Sequence, residues 1–122
     1  MKNVLIIITL IFSTNVFAEW ILVTRTDYGD TFWYESKSIQ KSNDEVLVWL
    51  RTRYPEPTKN GHNSDKSYFK INCTEYSFQL LSSTYYKDKN WTKEVVSDKN
   101  KTEKSFIPRN SMMDMLAKIT CK

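Results

Sequence analysis

Cys73 and Cys121 restrict the fold of this chain more than any other residues, because they invite one covalent tie between its middle and its end. Cys121 closes a short amphipathic stretch. Met112, Met115, Leu116 and Ile119 recur at i, i+3, i+4 and i+7, the spacing of one helical stripe. Pro108 favours an extended approach, and Ser111 is a good N-cap. Asp114, three residues on, predicts the acidic half of a capping box, and Lys118 completes an i,i+4 pair with it. A helix of about three turns is marginal alone in water, so this one must dock on the rest of the domain.

Whether the cysteines pair depends on the compartment. Lys2 supplies a positive start, Val4 to Phe12 is apolar apart from Thr9, and Val16-Phe17-Ala18 ends in a small residue. That order predicts a signal peptide over residues 1–18, cleaved before Glu19. The apolar run falls well short of the about 20 residues that span a bilayer. No cysteine follows the cleavage site to carry a lipid. Residues 19–122 are then a single domain of about 100 residues, with room for one core. In oxidising compartments two cysteines in a small domain usually pair. The expected Cys73–Cys121 bridge closes about 50 residues and contributes roughly 4 kcal/mol in the chain-entropy account. The alternatives are weaker: a reactive thiol pair lacks a C-x-x-C spacing, and a metal site would need more ligands than His62 adds.

Along the mature chain, Trp20-Ile21-Leu22-Val23 followed by Thr24-Arg25-Thr26 predicts a strand whose first half is buried on both faces. Asp27-Tyr28-Gly29-Asp30 is a turn, and Thr31 to Tyr34 a second strand. Ser36 to Asp44 is polar apart from Ile39 and ends in a turn signal. Val46 to Leu50 is the most apolar strand, and its continuation sets Arg51 and Arg53 on the Leu47/Trp49 face. Pro55 to Asp65 reads as a loop, long for so small a domain. Between Ser67 and Tyr86 the apolar series changes parity, from Phe69, Ile71 and Cys73 to Tyr76, Phe78 and Leu80. With no Gly or Pro to turn on, one long strand bulged near Cys73–Glu75 is preferred to two separate strands. Lys87 to Asn90 is a turn, Trp91 to Ser97 a returning strand, and Asp98 to Ser105 an exposed polar connector. The fold class is therefore α+β: an antiparallel β-meander sheet with one C-terminal α-helix packed on one face and tethered by the disulfide. The helix stripe is expected over Phe69 and Ile71.

Little catalytic chemistry is available. His62 is the sole histidine and lies in a Gly/Asn-rich loop, where solvent exposure is the expectation, so no Ser-His-Asp arrangement is supported. The acidic pairs Asp27/Asp30 and Asp44/Glu45 sit in turns. Gly29 and Gly61 are the only glycines, which excludes a phosphate-cradling loop. No cofactor is expected. The net charge of +4 includes Lys2, and basic and acidic residues are interleaved. This is a solvated mixed-charge surface rather than the basic stripe of a nucleic-acid binder. Tyr85, Tyr86, Lys87, Lys89 and Trp91 suggest a different role, an aromatic–basic hairpin tip able to bind a protein. Cross-strand packing competes with that reading, because consecutive strand residues always turn one ring outward. The 55–65 loop and the 98–105 connector are the other exposed candidates.

Several short motifs fall in a familiar order. A tryptophan follows the signal peptide, then come an aromatic strand, Val46-Leu47-Val48-Trp49, Lys70-Ile71-Asn72-Cys73 and the Leu81–Tyr86 segment. Ile107-Pro108 with Asn110-Ser111, a helix and the terminal Ile119-Thr120-Cys121 complete the series. Together they resemble the surface-adhesin protein E family of Gram-negative bacteria. The resemblance implies a small antiparallel domain with a C-terminal helix, surface display, and binding of host extracellular-matrix or serum proteins. The matched residues are packing and disulfide positions, so no ligand-binding residue carries over. The expected function is an exported, non-enzymatic module for a protein ligand. The alternatives are a periplasmic inhibitor or accessory protein with an endogenous envelope partner, or a small hydrolase.

Overall fold

A computed structural model describes residues 17–98 and 101–122, so most of the expected signal peptide lies outside the described residues. In chain order the elements are Trp20–Arg25 (β1), Thr31–Glu35 (β2), Gln40–Ser42 (β3), Glu45–Arg53 (β4), Ser64–Asn72 (β5), Ser77–Tyr86 (β6), Glu94–Asp98 (β7), Ser105–Phe106 (β8) and Met112–Thr120 (α1). All described strands join one antiparallel sheet in the order β1-β2-β4-β5-β6-β7, with β3 also on β4 and β8 also on β6. β2 pairs with the second half of β4, and β3 with its first half. The α+β class and the antiparallel sheet with its C-terminal helix are as expected.

β4 organises the sheet because its alternation is the cleanest in the chain. Val46, Val48, Leu50 and Thr52 are buried, while Leu47, Trp49, Arg51 and Arg53 on the other face are half-buried. The buried face meets Ile71 of β5, Tyr34 of β2, Ile107, and Met113, Leu116 and Ala117 of α1. Ile71, Val48 and Leu116 are fully buried, and each such side chain stabilises the fold by about 1.5–3 kcal/mol before ordering entropy is subtracted.

The parity change after Ile71 is a turn, not the bulge expected near Cys73–Glu75. Asn72 replaces the missing glycine: its Oδ1 accepts from the amides of Thr74 (3.1 Å) and Glu75 (2.8 Å). Tyr76 then takes a left-handed φ of 57°. That conformation is costly for a bulky residue. The Tyr76 hydroxyl offsets the cost by donating to Asp114 Oδ1, which ties the turn to the start of α1. The real register shift between β5 and β6 lies further along, between Tyr68 and Phe69.

The helix forms where expected but is rotated. Ser111 caps it by accepting from the Asp114 amide at 3.1 Å, and Lys118 Nζ meets Asp114 Oδ2 at 3.0 Å. Asp114 Oδ2 also accepts from the amide of Asn110 (3.0 Å), one residue earlier than in a capping box. Met113, Asp114, Leu116, Ala117 and Thr120 are buried, whereas Met115, expected in the stripe, is 41% exposed. The bonds Asp114 makes to Tyr76 and Asn110 turn its side inward, and Met115 outward with Lys118. Cys121 bonds Cys73 across a Cα–Cα distance of 5.7 Å, so the tether holds.

Three other expectations change. β1 is an edge strand with one neighbour, so Leu22 is 54% exposed rather than buried on both sides. β7 starts at Glu94, and Trp91 leaves the strand. The connector to β8 is exposed at 101–105 but runs along β6: Thr102 N donates to Leu80 O at 2.9 Å, and Gln79 Nε2 to Thr102 O at 2.8 Å.

Candidate functional site

The face of the sheet turned away from α1 gathers rings and cations. Period-two alternation places Trp33 beside Arg51, Arg51 beside Lys66, and Trp49 beside Tyr68 in the strand registers. Trp49 and Tyr68 stack at 4.6 Å between centroids. The Arg51 guanidinium lies 4.5 Å from the Trp20 ring, 3.9 Å from Trp91 and 5.6 Å from Trp33. Arg53 sits 4.8 Å from Trp91 and 5.2 Å from Trp33, and Lys66 Nζ lies between Trp20 (5.9 Å) and Tyr86 (5.7 Å). These are cation–π distances.

Trp91 holds this arrangement closed at one end. Asp88 builds the turn that carries it, accepting from Thr92 Oγ1 at 2.5 Å and from the amides of Lys93 (2.9 Å), Thr92 and Asn90. These bonds, the Thr92 hydroxyl first, hold the Asp88 carboxyl well below its usual range. Trp91 adopts φ 54°, is 9% exposed, and donates its Nε1–H to the carbonyls of Asp65 (3.0 Å) and Thr52 (3.2 Å). Its ring meets Trp33 edge-on at 5.6 Å.

No ion pair between described residues involves Arg51, Arg53 or Lys66. Arg51 Nε is buried with no hydrogen-bond acceptor. Burial, and then the charge of Arg53, lower the proton affinity of Arg51; burial, and then Arg51, do the same to Lys66. At one end the face opens into a cleft of about 370 Å³ whose lining includes Arg25, Trp33, Arg53, Pro55 and Lys89, with no carboxylate. Such a surface can take up carboxylates against rings.

The expected hairpin-tip residues are split by the sheet. Tyr86 and Trp91 join the ring-and-cation face, Trp91 buried rather than displayed. Tyr85 points to the opposite side and stacks on His62 at 4.8 Å. Lys87 is exposed at the turn, and Lys89 donates to Pro55 O at 2.9 Å at the mouth of the cleft. His62 is 9% exposed, not solvent-facing as expected, because its loop folds back: Thr58 N donates to His62 O at 2.9 Å and Tyr54 N to Asn63 O at 2.9 Å. It lies over a polar end of the core where Tyr54 donates to buried Asp65 at 2.5 Å. Burial raises the affinity of both groups for protons. A larger depression of about 540 Å³ beside the start of α1 is lined by Asp114, already bonded to Tyr76, Asn110 and Lys118. The arginines, Trp33 and Lys66 were absent from the sequence-derived candidates, although the shared parity of Arg51 and Arg53 with Trp49 was the available signal. Among the described residues no three potential metal ligands gather, and no helix is long and apolar enough to cross a membrane.

Comparison with known proteins agrees with this architecture. Haemophilus influenzae protein E, in its crystal form II, shares the fold with a TM-score of 0.56 at 19% identity, over 74% of this chain and 79% of that one. Protein E from non-typeable Haemophilus influenzae gives a TM-score of 0.57 at 18% identity, over 88% of this chain and 78% of that one. No curated protein sequence matches. The description of the surface-adhesin protein E family matches residues 20–122. The chain belongs to the surface-adhesin protein E family.

Proposed function

We propose that this chain is an exported, non-enzymatic binding module that engages a protein ligand through the open face of its sheet. The observation that carries this reading is the set Arg51, Arg53 and Lys66, half-buried among Trp20, Trp33, Trp91 and Tyr86, with no ion pair to them among the described residues. Desolvating cations costs free energy that cation–π contact offsets only in part. An acidic segment of a partner supplies the missing charge, while the rings give rigid contact area of the kind that dominates binding energy. Membership of an adhesin family supports a host matrix or serum protein as the ligand. Export to the periplasm or cell surface follows from the expected cleavage before Glu19. The testing experiment compares the protein with an Arg53→Glu/Lys66→Glu version on immobilised host matrix proteins and on envelope extract. The reading expects matrix binding that weakens with salt and falls at least ~10-fold in the variant at unchanged melting temperature. Binding to envelope extract alone assigns the endogenous-partner alternative. Undiminished binding by the variant removes the open face from the account.

A further inference from the structure

Glu35, at the end of β2, is 5% exposed yet ionisable, and among the described residues no lysine or arginine forms an ion pair with it. Three backbone donors do. Its Oε1 accepts from the amides of Glu19 (2.8 Å) and Lys37 (3.0 Å), and its Oε2 from Ser38 (2.6 Å). Burial presses the carboxyl toward protonation, and the bonds from Ser38, Glu19 and Lys37 outweigh it, so the group stays charged. Glu19 is also fixed through its carbonyl, which accepts from Ser36 N at 2.9 Å and Ser36 Oγ at 3.3 Å. Lys37 faces the Glu19 side chain instead, at 3.9 Å. Glu19 N is the atom that the expected cleavage after Ala18 would turn from an amide into an α-ammonium group.

We propose that Glu35 is a built receptor for the new N-terminus: cleavage before Glu19 leaves an α-ammonium on Glu35 Oε1, and this ion pair locks the edge strand β1 to β2. Hydrolysis of the Ala18–Glu19 peptide bond consumes one water and leaves a carboxylate on the leader and the ammonium on Glu19. The hydrogen bond already present becomes charge-assisted on both sides, the stronger kind. An edge strand with one neighbour gains most from such a lock, because its end otherwise frays. The proposal rests on the export reading and is independent of the binding face.

The test compares the protein starting at Glu19 with the protein starting at Phe17, each with Glu35 and with Glu35→Gln. The Glu19-start form is expected to have an unfolded fraction about tenfold smaller at matched denaturant, the size of a one-unit shift in the α-amine's proton affinity. Glu35→Gln should abolish that gap. Equal stability of the two forms, or a gap that survives Glu35→Gln, overturns the proposal. Should Glu35→Gln not fold, the native Glu19-start amine must react with an amine-acylating reagent at pH 7 at least ~10-fold more slowly than after unfolding. Equal rates overturn the proposal. An exported protein whose mass shows a start other than Glu19 removes the cleavage on which it depends, a failure distinct from the other two.

Discussion

Breaking the Cys73–Cys121 bridge should release the helix and leave the sheet. The bonded cysteines are 48 residues apart in sequence. In the chain-entropy account a loop of that length restricts the unfolded state by about 4 kcal/mol. Against this loss, α1 keeps the Tyr76–Asp114 hydrogen bond and its own packing: Leu116 at 0% and Met113 at 6% exposure, about 1.5–3 kcal/mol each, with the smaller Ala117. A nine-residue helix contributes no independent stability. For a domain of this size about 1 kcal/mol moves the melting temperature by ~4–8 °C, so the expected drop is about 15–30 °C. Thermal melts followed by circular dichroism, on the oxidised protein and on Cys73→Ala/Cys121→Ala, measure that drop. Native-state hydrogen exchange then locates the opening. Amides of 112–120 should lose protection first, and those of β4 and β5 last. A drop below about 5 °C, or simultaneous opening of α1 and the β4–β5 pair, would refute the tethering account.

Trp91→Ala removes a buried ring and its bonds to Thr52 and Asp65, and should cost about 3–5 kcal/mol in urea unfolding. Arg51→Met keeps the stem between the rings but removes an unsatisfied Nε and its repulsion with Arg53, so stability should hold within about 1 kcal/mol while ligand binding falls. The Asp114 carboxyl is held down at about 2, first by the Tyr76 hydroxyl, then by the Asn110 amide and Lys118. Its folded affinity for protons is thus below the unfolded value, so its stabilisation is complete above about pH 4 and disappears as pH falls toward 2. Acid titrations of wild type and Asp114→Asn should therefore diverge above pH 4 and converge near pH 2.

The parts of the fold set by pattern were legible in the sequence: the β4 alternation, the Ser111 cap, the Asp114–Lys118 pair and the disulfide partners. Errors arose where a side chain did the work of a glycine. Asn72 and Tyr76 make a turn that no Gly or Pro announces, and Trp91 enters the left-handed region because Asp88 organises the loop around it. The helix rotation was hidden for a similar reason. Asp114 looks like a surface residue by type, but its bonds to Tyr76 and Asn110 draw it inward and displace Met115. The binding face was half-visible: Arg51 and Arg53 shared a parity with Trp49. That Trp20, Trp33 and Trp91 would converge on those arginines depends on sheet order, which one strand's pattern does not encode.

The role of the open face is tested most directly by mapping a bound ligand. Chemical shifts of the labelled protein, followed during titration with a matrix protein that it binds, report separately on the two sides of the sheet. The account predicts shifts of the Trp20, Trp33 and Trp91 indole signals and of the Arg51, Arg53 and Lys66 side chains, with Met115 and Lys118 on α1 unchanged. Shifts confined to α1 and its flanking turns would contradict it.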